Sequence, residues 1–339
     1  MTKVILFIFA FFTFSLDLAA RSPFRKKDKD LPKITIGWKH SKKAISLANW
    51  ALTEYPIFNV FSEAGYDFFY NHILPTDFVS DINNPEQLIN CRALNLCIEL
   101  LLRELKKHKK QYTHFVVLQD KNFNYKQKCG LLVLQFKNYP FVLKLFMETP
   151  KSFIDPYCKG FENQFFFYMS GGNNRHIAGL TRIKNLELVA EQILNHSRWK
   201  DVIIMPRKWY WLPQKPRWME IKGTNVGEQH EQITTLMPST YAIIADELDI
   251  TEDLHTLSSQ AKSELIMQLC MDLHLFVDPH ADNFIIKYRP VEKDYTISIV
   301  DTEHFPSMVG LKEEPFFNKD IRNASKLITE TFTSPFLPA

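Results

Sequence analysis

Between Thr113 and Met147 three short apolar runs follow one another with turn residues between them, and no other feature constrains the fold as much. Thr113 to Leu118 is strand-like, Cys129-Gly130 marks a turn, and Leu131 to Phe136 is a second strand. Lys137-Asn138-Tyr139-Pro140 turns the chain again into a third strand from Phe141 to Met147. Short, turn-rich connections predict an antiparallel meander. The third run contains one foreign residue. In Phe141-Val142-Leu143-Lys144-Leu145-Phe146 a single lysine sits among apolar side chains, where its ammonium is costly unless it meets an anion.

Around this core the pattern is mixed. Residues 21 to 35 are rich in Arg, Lys and Pro and read as a linker, and Ser41 to Glu63 reads as helix broken by Pro56. Asn84-Pro85-Glu86 is expected to open an amphipathic helix carrying Leu88, Ile89, Leu94, Ile98, Leu101 and Leu105, ending in Lys106 to Lys110. Pro150 to Thr181 reads as an irregular insert and Asn185 to Asn195 as a helix. Asp201 to Met205 and Tyr241 to Ala245 are expected as buried strands, separated by a Trp- and Pro-rich stretch. A helix from Ser259 to Leu273 and a strand from Thr296 to Val300 complete the pattern. A chain of 339 residues, 45% of them hydrophobic, can bury the core of one bilobal domain or two ordinary ones.

A net charge of +3 gives no ground for a nucleic-acid partner. Residues 1 to 20, with Lys3 ahead of the apolar run Val4 to Phe14, read as an export signal too short to span a bilayer comfortably. After its cleavage no stable membrane insertion is expected. Cys91, Cys97, Cys129, Cys158 and Cys270 are odd in number and fit no zinc spacing, and their pairing cannot be read from spacing.

Four polar residues carry the chemistry. Phosphoryl transfer needs a cation on the nucleotide's phosphates, hard oxygen ligands for Mg2+, and a carboxylate that positions the acceptor hydroxyl. Lys144 supplies the cation. Asp278 and Asn283 flank a short loop after a helix, and Asp301 ends the apolar strand Ile297-Ser298-Ile299-Val300.

Asp278-Pro279-His280-Ala281-Asp282-Asn283-Phe284 resembles the D-x-H-x-x-N loop of the aminoglycoside phosphotransferase and ABC1-type branches of the protein-kinase-like superfamily. Val300-Asp301-Thr302-Glu303 is similar to the Asp-bearing strand end that follows it there. Tyr241 to Leu248 resembles the strand and hinge that grip adenine. The resemblance covers roughly residues 112 to 305. It implies an α+β, kinase-like bilobal fold, with an antiparallel-sheet N-lobe and a reduced helical C-lobe. The expected layout is a signal over 1–20, a linker and N-terminal helical extension over 21–110, the N-lobe with inserts over 111–250, and the shortened C-lobe over 251–339.

By the same resemblance, ATP and Mg2+ are the implied cofactors. Lys144 contacts the phosphates and pairs with Glu191, Asp278 orients the acceptor, Asn283 and Asp301 hold metal, His280 braces the loop, and Asp246, Glu247 and Leu248 form the hinge. The implied function is an exported phosphotransferase, periplasmic or secreted, that moves the γ-phosphoryl group to an unknown hydroxyl acceptor, small molecule or protein. Three departures stand against full activity. The loop Gln119 to Gly130 lacks a G-x-G-x-x-G, Phe276-Val277 replaces the usual residues before the aspartate, and little chain follows Asp301. The last of them is the best argument for the alternative, an inactive, secreted binding module using the cleft or Trp209, Trp211 and Trp218.

Overall fold

The computed structural model describes residues 33–48, 62–158, 175–226, 229–248, 259–273, 283–289 and 294–302. The expected signal, the Asp278–Asp282 loop and everything after Thr302 lie outside these residues.

In chain order the elements are β1 (Lys33–Trp38), β2 (Ala44–Ala48), α1 (Glu63–Asn71), β3 (Phe78–Ser80), β4 (Leu88–Asn90) and α2 (Cys91–Lys106). Next come β5 (Phe115–Gln119), β6 (Phe123–Asn124), β7 (Cys129–Phe136), β8 (Phe141–Met147), α3 (Pro150–Cys158), α4 (Arg175–Ala178) and α5 (Arg182–Leu194). The last are β9 (Ile203–Ile204), β10 (Lys208–Trp211), β11 (Trp218–Val226), β12 (Glu231–Pro238), β13 (Thr240–Asp246), α6 (Ser259–Asp272), β14 (Phe284–Arg289) and β15 (Asp294–Ile299). The architecture is α+β with predominantly antiparallel sheets.

The expected meander forms the central sheet, ordered β10-β13-β8-β7-β5, with β6 added to β7. β8 lies inside it, paired on both edges. Gly130 takes φ +105° where β6 meets β7, and a Cβ there would fall 2.0 Å from the Asn122 carbonyl oxygen, so only glycine fits. One face of the sheet is dry. Leu132, Leu134, Phe136, Leu143, Leu145 and Ile244 pack against Leu94, Ile98, Leu101 and Leu105 of α2.

That helix starts later than its apolar spacing predicts. Asn90 caps it, its Oδ1 accepting from the N–H groups of Arg92 and Ala93 at 2.9 and 3.3 Å. Leu88–Asn90 instead pair with Phe78–Ser80, so Pro85 lies before a strand rather than on the first helical turn. At the far end the buried Glu104 accepts from Lys109 Nζ (2.8 Å) and the Thr113 N–H (3.0 Å), tying the lysine run to the start of the meander.

One further expectation is corrected. The N-terminal extension is not wholly helical, because Lys33–Trp38 and Ala44–Ala48 are strands of a second sheet, β12-β11-β1-β2. Ile34 and Ile36 alternate inward there onto Phe153, Ile154, Met219 and Ile221. The Trp- and Pro-rich stretch, assigned no element from the sequence, forms β10, β11 and β12. Its tryptophans are packing residues. Trp211 is buried with its indole N–H on Asn95 Oδ1 (2.8 Å), Trp209 meets Phe141 edge-on, and Trp218 meets Tyr66 edge-on.

A third sheet, β14-β15-β9, packs against α5 and α6 through Val189, Ile193, Ile266, Leu269, Phe284, Ile297 and Ile299. Ile203–Ile204 pairs with β15 in parallel, and Ile204 is exposed instead of buried as expected. Cys91, Cys97 and Cys129 are buried thiols. Among the described residues no helix is long and apolar enough to cross a membrane.

Candidate functional site

Alternation along β8 places Lys144 opposite to Leu143 and Leu145, on the face turned away from α2. Its cross-strand partners are Val133 and Ile243. Ile243 in turn opposes Tyr210, and Ala245 opposes Lys208, so Lys208 shares the face of Lys144. One end of that face is closed by Phe69 of α1 and Ile183 of α5, packed on Phe146, Tyr210 and Tyr241. The packing is close. A Cβ on Gly179, just before α5, would fall 2.1 Å from the Tyr241 hydroxyl. Towards the other end Val133 and Val142 are half-buried and Val116 is exposed.

The third sheet delivers Asp301 to the boundary between these two ends. β14 and β15 form a hairpin whose open end is closed by the Val300 N–H donating to the Asn283 carbonyl at 2.9 Å. The chain leaves β15 there, and Asp301 Oδ2 accepts from Lys144 Nζ at 2.7 Å. Asp301 Oδ1 lies 3.1 Å from Arg182 Nε, at the first turn of α5. These side chains are shielded, with 19% exposure for Lys144, 16% for Asp301 and 3% for Arg182.

Thr302, fully buried, locks the strand end in place. Its hydroxyl accepts from Lys208 Nζ (3.0 Å) and donates to the Arg182 carbonyl (2.7 Å). Its own carbonyl accepts from Asn185 Nδ2 (3.1 Å). Burial alone would raise the Asp301 carboxyl, but Arg182, Lys144 and Lys208 outweigh it and hold the group well below the usual carboxylate range. Burial pushes the Lys208 ammonium down to about 7; Asp301 acts against that shift, and Lys144 and Arg182 add to it.

The expected site residues therefore separate into groups. Lys144 and Asp301 meet, and Asn283 comes to the same end of the hairpin as Asp301. Asp278 and His280 lie outside the described residues. Glu191 is exposed on α5, and the ion pair expected of it with Lys144 is made by Asp301 instead. Val189 and Ile193 take the buried stripe of α5 and so turn Glu191 outward. Glu187, on the same helix, pairs with His72 at 2.7 Å.

The hinge residues are also committed to the fold. The Asp246 carboxylate accepts from Arg207 Nε (2.8 Å), Nη2 (2.8 Å) and backbone N–H (2.9 Å). The Glu247 N–H donates to the Pro140 carbonyl, its carbonyl accepts from Asn83 Nδ2, and its side chain accepts from Gln135. Leu248 is half-buried after them. Arg182, Lys208, Asn185 and Thr302 were not anticipated from the sequence. Lys208 carried a weaker signal than Lys144, since it only precedes the aromatic run Trp209-Tyr210-Trp211 and follows Arg207. Arg182 carried none.

Asn283 and Asp301 are the right ligand types for magnesium, but the charge around them is wrong for it. Both oxygens of Asp301 face cations. At an effective dielectric of ~20, a divalent ion about 4 Å from a unit cation meets roughly 8 kcal/mol of repulsion, equal to its attraction to one carboxylate. Lys144 and Arg182 on the two oxygens of the one described carboxylate, with the partly ionised Lys208 behind them, leave a balance hostile to the ion. As arranged, these residues do not fit Mg2+. Among the described residues no three His, Cys, Asp or Glu side chains are grouped to hold a metal.

Comparison of the chain with models of protein families, with curated proteins and with solved structures finds no match in any of the three.

Proposed function

We propose that this chain is a nucleotide-binding protein of the kinase-like kind, bilobal, with ATP held between the central sheet and the third sheet. The observation that carries this reading is the 2.7 Å contact between Lys144 and Asp301, whose positions lie 157 residues apart. Protein kinases carry their phosphate-binding lysine on the third strand of an antiparallel sheet and an aspartate at a later strand end. Lys144 stands on the last strand of the meander, and Asp301 follows β15. The half-buried Val133 and Val142 offer an apolar shelf for the base next to the ammonium that would meet the phosphates. Isothermal titration of the full chain with ATP tests the reading. Lys144→Met is expected to weaken ATP at least tenfold, and an unchanged affinity would sink the assignment.

Phosphoryl transfer to a hydroxyl acceptor is the second reading, and it rests on the resemblance of Asp278 to Asn283 to the D-x-H-x-x-N loop. In it Asp278 orients the acceptor, a small molecule or a protein. Turnover of γ-labelled ATP that is abolished by Asp278→Asn supports transfer; nucleotide binding with no turnover favours a binding module. The site of action follows from the leader. Residues 1 to 20 direct export, periplasmic or secreted, and detection of the protein only inside cells after fractionation would refute that.

A further inference from the structure

We infer that the cluster Lys144, Arg182 and Lys208 is a polyphosphate cradle that takes its nucleotide without a divalent cation. The inference rests on the nucleotide reading above and names how that site handles charge. In a metal-dependent site the phosphates are neutralised by an ion, and the carboxylates that hold the ion must face it. Here the carboxylate expected to do so is turned into a cationic nest. Lys144 Nζ stands 2.7 Å from one oxygen of Asp301 and Arg182 Nε 3.1 Å from the other.

The three cations come from three separate elements. Lys144 is on β8, Lys208 on β10 and Arg182 at the start of α5. Their convergence is therefore built by the tertiary fold and is not a run of surface lysines. Each is also anchored. Lys208 is tied through the Thr302 hydroxyl to the Arg182 carbonyl, and the Arg182 guanidinium lies 5.4 Å over the Phe146 ring. Arg182 offers a planar fork and Lys144 a point charge, with Lys208 buried behind them on the Thr302 hydroxyl, a set suited to the several oxygens of a polyphosphate. The same set repels a metal ion. A triphosphate that draws Lys144 away from Asp301 exchanges one anion for a more highly charged one, and Asp301 keeps its contact with Arg182.

The loop joining β5 and β7 is consistent with this division of labour. It lacks the glycines that would let backbone N–H groups wrap phosphate, and Lys128 within it donates to the Lys106 carbonyl at 3.3 Å. Side chains beneath the sheet take over the work that such a loop would do.

The test uses the purified full chain, with ATP and inorganic tripolyphosphate as probes, each measured by calorimetry in excess EDTA and in millimolar Mg2+. Both probes are expected to bind in EDTA, with ATP at least as tight there as with Mg2+. Arg182→Gln is expected to weaken both about tenfold, and Lys208→Met likewise if it folds. ATP binding seen only with Mg2+ would overturn the cation-free cradle and leave the nucleotide reading standing. No binding of either probe under any condition would overturn both. The comparison on the unmodified protein decides the matter even if neither variant folds.

Discussion

The two faces of the central sheet are built for different tasks. The face towards α2 is continuous hydrocarbon, with Leu132, Leu134, Phe141, Leu143 and Leu145 within about 2% of complete burial. The opposite face is divided. Aromatic rings close one end, cations surround Asp301 at the boundary, and half-exposed valines occupy the other end. Because a strand alternates its side chains, one residue step separates a position that serves only packing from one that serves only charge. Leu143 and Lys144 are that step.

The sharpest way to break the comparison is to truncate both. Leu143→Ala is expected to cost about 2–5 kcal/mol in urea unfolding, because a fully buried leucine leaves a cavity in the α2 face. Lys144→Met should cost less, because Asp301 keeps its contact with Arg182, while losing nucleotide affinity. If the two variants were equally destabilised, the division of labour between the faces would be wrong.

A smaller effect is expected at the sheet's end. Asp246→Ala should cost roughly 2–3 kcal/mol, because Arg207 loses the carboxylate that takes three of its N–H groups. Its ATP affinity should be unchanged within about threefold. A selective loss of affinity without loss of stability would return Asp246 to the hinge role that its position first suggested.

Glu148 follows β8 on its way into α3, where its carboxylate accepts from Ser152. Burial pushes this carboxyl up to about 7, against smaller opposite contributions from Ser152 and the Thr149 N–H. The folded value lies above the unfolded one, so the stability linked to this group is fully present below about pH 4.5 and is lost as pH rises through about 7. Glu148→Gln should flatten the stability–pH curve over that window and stabilise the protein at pH 8 by roughly 1–3 kcal/mol. An unchanged profile would show that water reaches the carboxylate.

The smallest effect belongs to Glu191. On the exposed side of α5, Glu191→Ala should alter stability by less than about 0.5 kcal/mol and leave ATP binding unchanged. Any substantial loss of affinity would restore the lysine–glutamate pair that the structure replaces with Lys144 and Asp301.

Much of the local structure was legible because it is written in short-range periodicity. The meander, the helix over Ser259–Asp272 and the strand before Asp301 all come from patterns within a dozen residues. Where local patterns competed, the sequence misled. Leu88 and Ile89 fit helical spacing, yet they pair as a strand because Phe78–Ser80 is available beside them and Asn90 offers a better cap. The Trp-rich stretch was given no element because its prolines and glycines masked the alternation of β11 and β12.

By itself, the sequence determined that a lysine would interrupt an apolar strand and that an aspartate would terminate another, since burial of a charge is a local contradiction visible in the spelling. Only the tertiary structure decided that the two meet, that Arg182 and Lys208 join them, and that Glu191 does not. Strand periodicity is a property of the backbone over a few residues. An ion pair shielded from water exists only once separate sheets and a helix have closed around it, and that closure sets both its partners and its strength.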